Sequence, residues 1–336
     1  MVGIAIIGCG SITRLRHAPE CRNNDNIRLC GFYDLNQERC KKFAEEYGAK
    51  AYVSYEEVLN DETVDGVIIC TANKYHCEMS VKAFEHGKHV MCEKPIAVTL
   101  EEAQEMIDAS NKAGKFLMVA HNQRFDAVNQ KLKEIIDSGE LGKIISFRTV
   151  FGHGGPEAWS VDKSKNTWFL DKKQAGLGAM GDIGIHKADL IHWLINDDIR
   201  YVTAKVVTLD KKTTDGEFIA VDDNAFCVLE SDTGIVGTLE ASWSHYGKCT
   251  NITYLYCENG IVEADNEKVD QIVITMKDGT YNKFHIEEQE SGMSKAFAQC
   301  IEKGVKPEID GNEGLKALNI VLKCIDSSKK NERIMV

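Results

Sequence analysis

Over roughly the first 120 residues, short apolar runs alternate with amphipathic stretches, which is typical of parallel strands joined by helices. The predicted strands of this part are Ile4–Ile7, Ile27–Tyr33, Gly66–Cys70, His89–Cys92 and Phe116–Val119. Between them, Ser54 with Glu57 and Thr99 with Glu102 have the capping-box spacing that begins a helix. This part of the chain therefore predicts a doubly wound parallel sheet.

Beyond about residue 123 the pattern changes to that of an α+β domain. Helices are predicted at about Ala127–Ser138, Asp182–Ile195, Met293–Lys303 and Gly314–Ser327. The other segments predict strands, at Ile144–Val150, Val202–Thr208, Asn224–Glu230, Ile235–Trp243, Ile252–Cys257, Ile261–Ala264 and Ile272–Met276. Strands that follow one another favour a large, mostly antiparallel open sheet. The predicted fold class is α/β, with a Rossmann domain at 1–122 and a second domain at 123–336.

Composition and charge narrow the choice of partners. The chain has 40 Lys and Arg and 52 Asp and Glu, which gives a formal net charge of −12. Nucleic acids and anionic membranes bind concentrated positive charge, so neither is an expected partner. No apolar run approaches the length of a membrane span, and the N-terminus lacks the basic leader of a signal peptide. The 12 cysteines contain no Cys-x-x-Cys pair, which indicates free thiols in a reducing, cytoplasmic compartment.

The first predicted strand runs into a glycine-rich turn formed by Gly8, Cys9, Gly10, Ser11 and Ile12. Gly8 permits a tight turn, and Gly10 lets a pyrophosphate approach the backbone at a helix N-terminus. Thr13 replaces the third glycine of this fingerprint, so a purely structural turn is the alternative. Asp34 ends the second strand, where a carboxylate binds both ribose hydroxyls and repels a 2′-phosphate; a simple turn residue is the alternative. The turn predicts a dinucleotide site that prefers NAD to NADP.

Further polar side chains collect at the carboxyl ends of the predicted parallel strands, the edge at which such sheets bind ligands. These candidate cofactor contacts are Thr71, Asn73, Glu93, Lys94 and Asn122. His76 begins a predicted helix beside them, and for it a structural role is as reasonable as cofactor binding. Together these residues indicate a cofactor site more strongly than any one of them.

Lys94 follows a buried strand in Cys92-Glu93-Lys94-Pro95, so its ammonium is expected to enter the cleft beside a nicotinamide. There it would bind a substrate oxygen and stabilise the negative charge that develops as a hydride leaves the neighbouring carbon. A solvated lysine at a strand end is the alternative. We predict that Lys94 is catalytic and binds substrate.

Asp182 and His186 stand four residues apart in a predicted helix, so they share one face, and Asp189 extends this polar stripe. Imidazole suits a general base that removes a hydroxyl proton. The alternatives are a hydrogen-bonded core histidine and a metal site that adds His192. The spacing matches no recognised zinc motif, so no metal is expected. We predict that Asp182 and His186 are catalytic and bind substrate.

Two other residues are candidate substrate contacts. Arg124 is expected either to touch substrate or to tie the two domains together. Trp168 is a candidate to pack against a sugar ring, although core packing is the better interpretation for it taken singly. Trp159, Trp243 and Tyr246 are further aromatic candidates, for each of which core packing is the better interpretation.

With these residues assembled, the chain resembles the glucose-fructose oxidoreductase / inositol dehydrogenase / MocA family over nearly its whole length. The specific segments are Gly8-Cys9-Gly10, Cys70 to His76, Gly87 to Pro95, Ser138 to Gly142 and Asp182 to His186. By resemblance, Lys94, Asp182 and His186 take the positions of the family's catalytic lysine, aspartate and histidine. Ala72 departs from the proline of many relatives.

The resemblance implies an NAD-dependent oxidation of a secondary hydroxyl on a sugar, inositol or related polyol, or the reverse reduction of a ketone. It also implies that the second domain binds substrate and forms a homodimer or homotetramer. Two alternatives stay open: an enzyme that cleaves glycosides through transient sugar oxidation and elimination, and a non-catalytic NAD-binding regulator.

Overall fold

The computed structural model describes residues 1–161, 163–287 and 289–336. Two compact units make up the chain. The first consists of Met1–His121, Trp159–Val161 and Gly292–Leu315, and the second of Asn122–Ala158, Asp162–Ser291 and Lys316–Val336. The functional domains at 1–122 and 123–336 stay a prediction.

The first unit contains a six-stranded sheet whose neighbouring strands all run parallel. Its strands are β1 at Val2–Ile7, β2 at Ile27–Tyr33, β3 at Lys50–Ala51, β4 at Gly66–Ile69, β5 at His89–Cys92 and β6 at Leu117–Val119. The order β3-β2-β1-β4-β5-β6 reverses direction between β1 and β4, and ligands bind at such a reversal. β1 and β4 are buried throughout, as their continuous apolar sequences require. The predicted doubly wound sheet is confirmed.

Capping residues mark the ends of several helices in this unit. The helices are α1 at Ala18–Arg22, α2 at Gln37–Tyr47, α3 at Tyr55–Leu59, α4 at His76–Glu85, α5 at Leu100–Ala113 and, late in the chain, α9 at Met293–Lys303. Ser54 and Thr99 each accept a 3.1 Å hydrogen bond from the backbone N–H of the glutamate three residues on, which is the capping interaction that the sequence predicts. At the other end of α5, Gly114 takes the left-handed conformation that closes a helix.

The second unit contains a nine-stranded sheet in the order β14-β13-β12-β11-β7-β10-β9-β8-β15. Its strands are β7 at Ile144–Gly152, β8 at Ile199–Val207, β9 at Asn224–Ser231, β10 at Val236–Ser242, β11 at Thr250–Cys257, β12 at Gly260–Asp265, β13 at Ile272–Met276, β14 at Tyr281–Phe284 and β15 at Ile334–Met335. β7 and β10 pair in parallel, and the other neighbours run antiparallel. This confirms the prediction of a large, mostly antiparallel sheet.

The helices of the second unit are α6 at Ala127–Asp137, α7 at Lys172–Ala175 and α8 at Ile185–Ile195. α10, at Gly311–Lys330, belongs to this unit from Lys316 onward. α8 packs on β7 and α6 on β12, while Ser327 and Ser328 of α10 accept hydrogen bonds from the β8 backbone. On the sheet, Phe226, Val228 and Val236 remain 43–46% exposed.

All 12 cysteines, each of which lies in the described part of the chain, are free thiols. Among the described residues, no helix is both long enough and apolar enough to span a bilayer.

Candidate active site

In the first unit, β1 leads into the glycine turn. Gly8 has a φ of +98°, which L side chains rarely adopt, and a Cβ there would lie 2.6 Å from the Cys70 carbonyl oxygen. A Cβ on Gly10, in contrast, would meet no atom within 4 Å. Thr13 replaces the missing third glycine and donates its hydroxyl to the Gly8 carbonyl at 2.6 Å. Thr13 and the Cys70 segment thus pack against the turn at Gly8, whereas the space beside Gly10 is empty.

Asp34, just past the end of β2, braces the same turn. Its Oδ2 accepts a 2.7 Å hydrogen bond from Cys9 N, and its Oδ1 accepts one of 2.7 Å from Asn36 N. Arg39 Nη2 lies 3.3 Å from Oδ1. The carboxylate therefore lies directly beside the backbone of the glycine turn, with a guanidinium at its other side.

The segment after β4 supplies Thr71, Asn73 and His76. Thr71 Oγ1 is buried and has no hydrogen-bond partner in the described parts of the chain, and Asn73 is buried at the start of a 3₁₀ turn. His76 is fully buried, with Nδ1 2.8 Å from the Pro95 carbonyl and Nε2 3.1 Å from the Thr71 carbonyl. Burial lowers its pKa, although both carbonyls act in the opposite direction. His76 thus ties this segment to the cis Lys94–Pro95 bond that follows β5.

Glu93 lies between Lys94 and a histidine that the sequence does not single out. Its Oε1 is 2.8 Å from His17 Nε2, and its Oε2 accepts a 3.1 Å hydrogen bond from Lys94 N. Burial alone would raise the pKa of Glu93, but the hydrogen bond and charge of His17, with the charge of Lys94, lower it to about 2. Glu93 is therefore a carboxylate at physiological pH.

These residues fit a dinucleotide. The open side of Gly10 gives a pyrophosphate access to backbone N–H groups, Asp34 offers an acceptor for ribose hydroxyls, and the buried Thr71 hydroxyl has hydrogen-bonding capacity to spare. The backbone conformation of the glycine turn thus leaves room for the dinucleotide.

In the second unit, the predicted helix at Asp182 begins earlier and differently. Its first turn, Met180–Gly184, is a π-helix, and α8 continues from Ile185. Asp182 therefore lies in a π-helical turn, which is wider than the α-helical turn from which the shared face of Asp182 and His186 is predicted. Such turns occur often at functional sites.

Asp222 holds the segment that enters this π-turn. Its carboxylate accepts hydrogen bonds from Gly178 N at 3.1 Å and Met180 N at 2.7 Å, and its carbonyl accepts one from Ala179 N at 2.8 Å. Gly178 is required at this contact, because a Cβ there would lie 1.9 Å from the Asp222 carbonyl oxygen. Desolvation raises the pKa of Asp222 to about 6. No local sequence pattern indicates this carboxylate.

The two candidate catalytic residues of this unit are both buried, Asp182 to 6% and His186 to 7% exposure. The indole Nε1 of Trp243 donates a 3.2 Å hydrogen bond to Asp182 Oδ2. The His186 ring lies 5.9 Å from the Phe151 ring, measured between centroids. Trp243 and Phe151 thus form part of the surroundings of an aspartate and an imidazole on successive helical turns.

Arg124 and Asp189 form a bidentate ion pair within the second unit. Arg124 Nε donates to Asp189 Oδ2 at 2.9 Å and Nη2 to Oδ1 at 2.6 Å, and both residues are buried. The pair ties the 3₁₀ turn Asn122–Phe125 to α8. The role of Arg124 as a substrate contact stays a prediction, as does the cofactor role of Asn122.

Among the aromatic candidates, Trp243 is fully buried, whereas Trp168 is partly exposed and stacks on Phe169 with ring centroids 3.8 Å apart. The Trp159 carbonyl accepts a 3.2 Å hydrogen bond from Ser11 Oγ. Tyr246 donates its hydroxyl to Asp210 and contacts Lys211 Nζ at 3.0 Å.

Lys187, next to His186, is a buried lysine that no sequence motif indicates. Its Nζ lies 3.4 Å from Thr253 Oγ1, and Thr253 is in turn 2.9 Å from Thr149 Oγ1. Burial lowers the pKa of Lys187 to about 7, against the charges of Asp126, Cys249 and Asp265. Within the described ranges, no group of three or more His, Cys, Asp or Glu is arranged to hold a metal ion.

A parallel sheet with a glycine turn at its switch point, followed by a unit with buried Asp and His, defines a nucleotide-dependent oxidoreductase. Residues 2–121 match the family model described as an oxidoreductase family with an NAD-binding Rossmann fold, and residues 129–263 match the GFO/IDH/MocA C-terminal domain. The chain belongs to the GFO/IDH/MocA oxidoreductase family, as the resemblance predicted.

Similar proteins include dehydrogenases of sugars and polyols. The D-glucoside 3-dehydrogenase of Escherichia coli is 31% identical over 72% of this chain and 70% of its own. The myo-inositol 2-dehydrogenase of Thermotoga maritima is 27% identical over 94% of this chain and 92% of its own. The glucose-6-phosphate 3-dehydrogenase of Bacillus subtilis is 33% identical over 67% of this chain and 63% of its own.

Solved structures share the fold over the whole chain. The aldose-aldose oxidoreductase of Caulobacter crescentus, complexed with glycerol, has a TM-score of 0.89 at 25% identity and covers 100% of this chain and 99% of its own. A levoglucosan dehydrogenase in complex with NADH has a TM-score of 0.88 at 22% identity, with the same coverage.

Proposed function

We propose that this enzyme is an NAD-dependent dehydrogenase that oxidises a secondary hydroxyl of a sugar, inositol or related polyol, or reduces the corresponding ketone. The observation that carries the proposal is the set of three groups suited to alcohol oxidation: Lys94 after β5, Asp182 in the π-turn before α8, and His186 in the first turn of α8. The similarity to a D-glucoside 3-dehydrogenase and a myo-inositol 2-dehydrogenase supports the substrate class.

Each of the three groups has a role in the proposed reaction. His186 accepts the proton of the substrate hydroxyl, because imidazole titrates near neutral pH. Lys94 stabilises the negative charge that develops on the oxygen. Asp182, held by Trp243, orients the substrate or the histidine. When bound, NAD supplies the hydride acceptor, and this chain supplies position and electrostatics.

The cofactor would be held by the glycine turn and the polar residues of the adjacent strand ends. These are Gly8, Cys9, Gly10, Ser11, Ile12, Asp34, Thr71, Asn73, His76, Glu93, Lys94 and Asn122. NAD is preferred to NADP in this proposal because the Asp34 carboxylate, which accepts the Cys9 N–H, would repel a 2′-phosphate. The NADH complex of levoglucosan dehydrogenase supports a nicotinamide dinucleotide in general.

The second domain, 123–336, is the substrate-binding and oligomerisation domain in this proposal, with Arg124 and Trp168 as further substrate contacts. The exposed apolar side chains Phe226, Val228 and Val236 support a homodimer or homotetramer formed through the large sheet. The twelve free thiols support a cytoplasmic location. Light scattering after size exclusion would test assembly, and a Val228→Lys variant that keeps the parent mass would contradict the sheet face as the interface.

The activity itself is tested by following NADH formation over a panel of inositols, aldoses, glycosides and sugar acids. Net NADH with a free sugar or polyol supports the proposal. Aglycone release without NADH would replace it with transient oxidation and elimination. NAD binding without turnover of any substrate would favour a regulator.

A further inference from the structure

The carboxylate of Glu93 joins two segments that are 76 residues apart in sequence. One oxygen faces His17 Nε2 at 2.8 Å, and the other accepts the backbone N–H of Lys94 at 3.1 Å. His17 is fully buried and Glu93 is 7% exposed. His17 ends the π-helix Thr13–His17, which begins at the residue that locks Gly8.

A buried carboxylate is costly unless it is paired, and its partners then have little positional freedom. Glu93 is ionised, so the contact with His17 is charge-assisted and directional. Because the same carboxylate holds Lys94 N, a displacement of His17 would move the backbone that carries the proposed catalytic amine.

We propose that His17 is a positioning residue, which acts through Glu93 to fix Lys94 relative to the segment behind the dinucleotide turn. This inference rests on the proposed role of Lys94. It also gives Glu93 a positioning role, since one carboxyl oxygen faces His17 and the other holds the backbone of Lys94.

The test compares His17→Phe, which keeps a ring but removes the nitrogen donor, with His17→Gln, whose amide nitrogen reaches the position of Nε2. In His17→Phe, kcat should fall on the order of 10- to 100-fold, because small displacements of a reacting group cost that much. In the same variant the Kd for NAD should change by less than about threefold. His17→Gln should recover most of the turnover. The matched control is His86→Phe, since His86 faces Glu56 at 3.3 Å on the surface; its kcat should not change.

A readout without cofactor follows Lys94 itself. Acetic anhydride labelling of the apo protein, quantified by mass spectrometry, should modify Lys94 faster in His17→Phe than in the parent and in His86→Phe. Equal labelling of Lys94 in all three proteins would overturn the positioning role.

Loss of stability is separated from loss of position by the double variant His17→Phe with Glu93→Met, which leaves no buried unpaired charge. Its urea midpoint should return towards that of the parent while kcat stays low. Recovery of kcat together with stability would show a purely structural pair. Lys94→Ala, measured in parallel, separates failure of the proposed function from failure of this inference. Full turnover in Lys94→Ala overturns the proposed function. Loss of turnover in Lys94→Ala together with normal turnover in His17→Phe overturns only the positioning role.

Discussion

Trp243 Nε1 donates a 3.2 Å hydrogen bond to Asp182 Oδ2, and Trp243 is fully buried. The backbone of Trp243 is held in turn, because its N–H donates to the Asp223 carbonyl at 2.8 Å. The neighbouring Asp222 holds the backbone of Gly178 and Met180. Two adjacent aspartates before β9 therefore position Asp182. Asp223 holds the backbone of Trp243, which binds the Asp182 side chain, and Asp222 holds the backbone that leads into Asp182.

Trp243→Phe should keep the packed ring and remove the donor to Asp182. A hydrogen bond to a charged group contributes about 1.5–3 kcal/mol, so kcat should fall roughly tenfold or more while the Kd for NAD stays nearly constant. Steady-state kinetics and NAD titration measure both. Trp193→Phe on α8 is the control. Parent kinetics in Trp243→Phe would show that Asp182 needs no such orientation.

Lys94→Ala and His186→Ala should each lower turnover on the order of 100-fold or more, because charge stabilisation and proton transfer each contribute about that much. The affinity for NAD should change little, since neither is expected to hold the dinucleotide alone. Lys74→Ala, at an exposed lysine, is the control and should keep full activity. Normal rates in either test variant would refute the assigned role.

Asp34→Ser should weaken NAD binding and improve NADP binding, on the order of tenfold in the ratio of their Kd values. The carboxylate that repels a 2′-phosphate is gone in this variant, while Arg39, 3.3 Å from it, remains to attract the phosphate. Thermal stabilisation by each cofactor gives the ratio. Asp25→Ser, at an exposed aspartate outside the turn, should leave it unchanged. An unaltered ratio in Asp34→Ser would remove Asp34 from cofactor selection.

Lys187→Met should stabilise the protein against urea at pH 7, by about 2–4 kcal/mol, because it removes an amine that burial makes costly to protonate. Burial lowers the pKa of Lys187 to about 7, below its ordinary value of 10.5. Between those pH values the unfolded chain binds the proton and the folded chain does not, so parent stability rises with pH.

The advantage of Lys187→Met should therefore be largest at or below pH 7 and shrink by up to about 1.4 kcal/mol per pH unit above it. Urea denaturation at pH 6, 7, 8 and 9 would measure this trend. Lys173→Met, at an exposed lysine of α7, should show no such trend. A pH-independent difference in Lys187→Met would contradict the lowered pKa.

Much of the fold could be predicted because its signals are local. Ile27–Tyr33, His89–Cys92 and Met293–Lys303 have the bounds that the apolar pattern indicates. Strands β3 and β15 have two residues each, too few for any periodicity, and β14 is exposed or half-buried throughout, so the apolar pattern does not reveal these three strands.

The chemistry of the site was only partly visible for a different reason. The glycine turn and the spacing of Asp182 and His186 lie within a few residues of sequence, so motifs reveal them. Trp243 is 61 residues from Asp182, and Arg124 is 65 residues from Asp189, so only the folded chain brings these pairs together. The π-turn at Met180–Gly184 also escapes a reading that assumes 3.6 residues per turn.

The first unit includes Gly292–Leu315, and this late segment lies along its edge strand: Val119 N donates to the Ile309 carbonyl at 2.9 Å, and Met118 pairs with Asp310. During synthesis, β6 therefore leaves the ribosome long before its covering segment exists. An uncovered strand edge is a template for pairing with other chains. The first unit therefore stays incomplete from the synthesis of β6 until Gly292–Leu315 has been made. A chaperone would be most useful to the nascent chain during this interval.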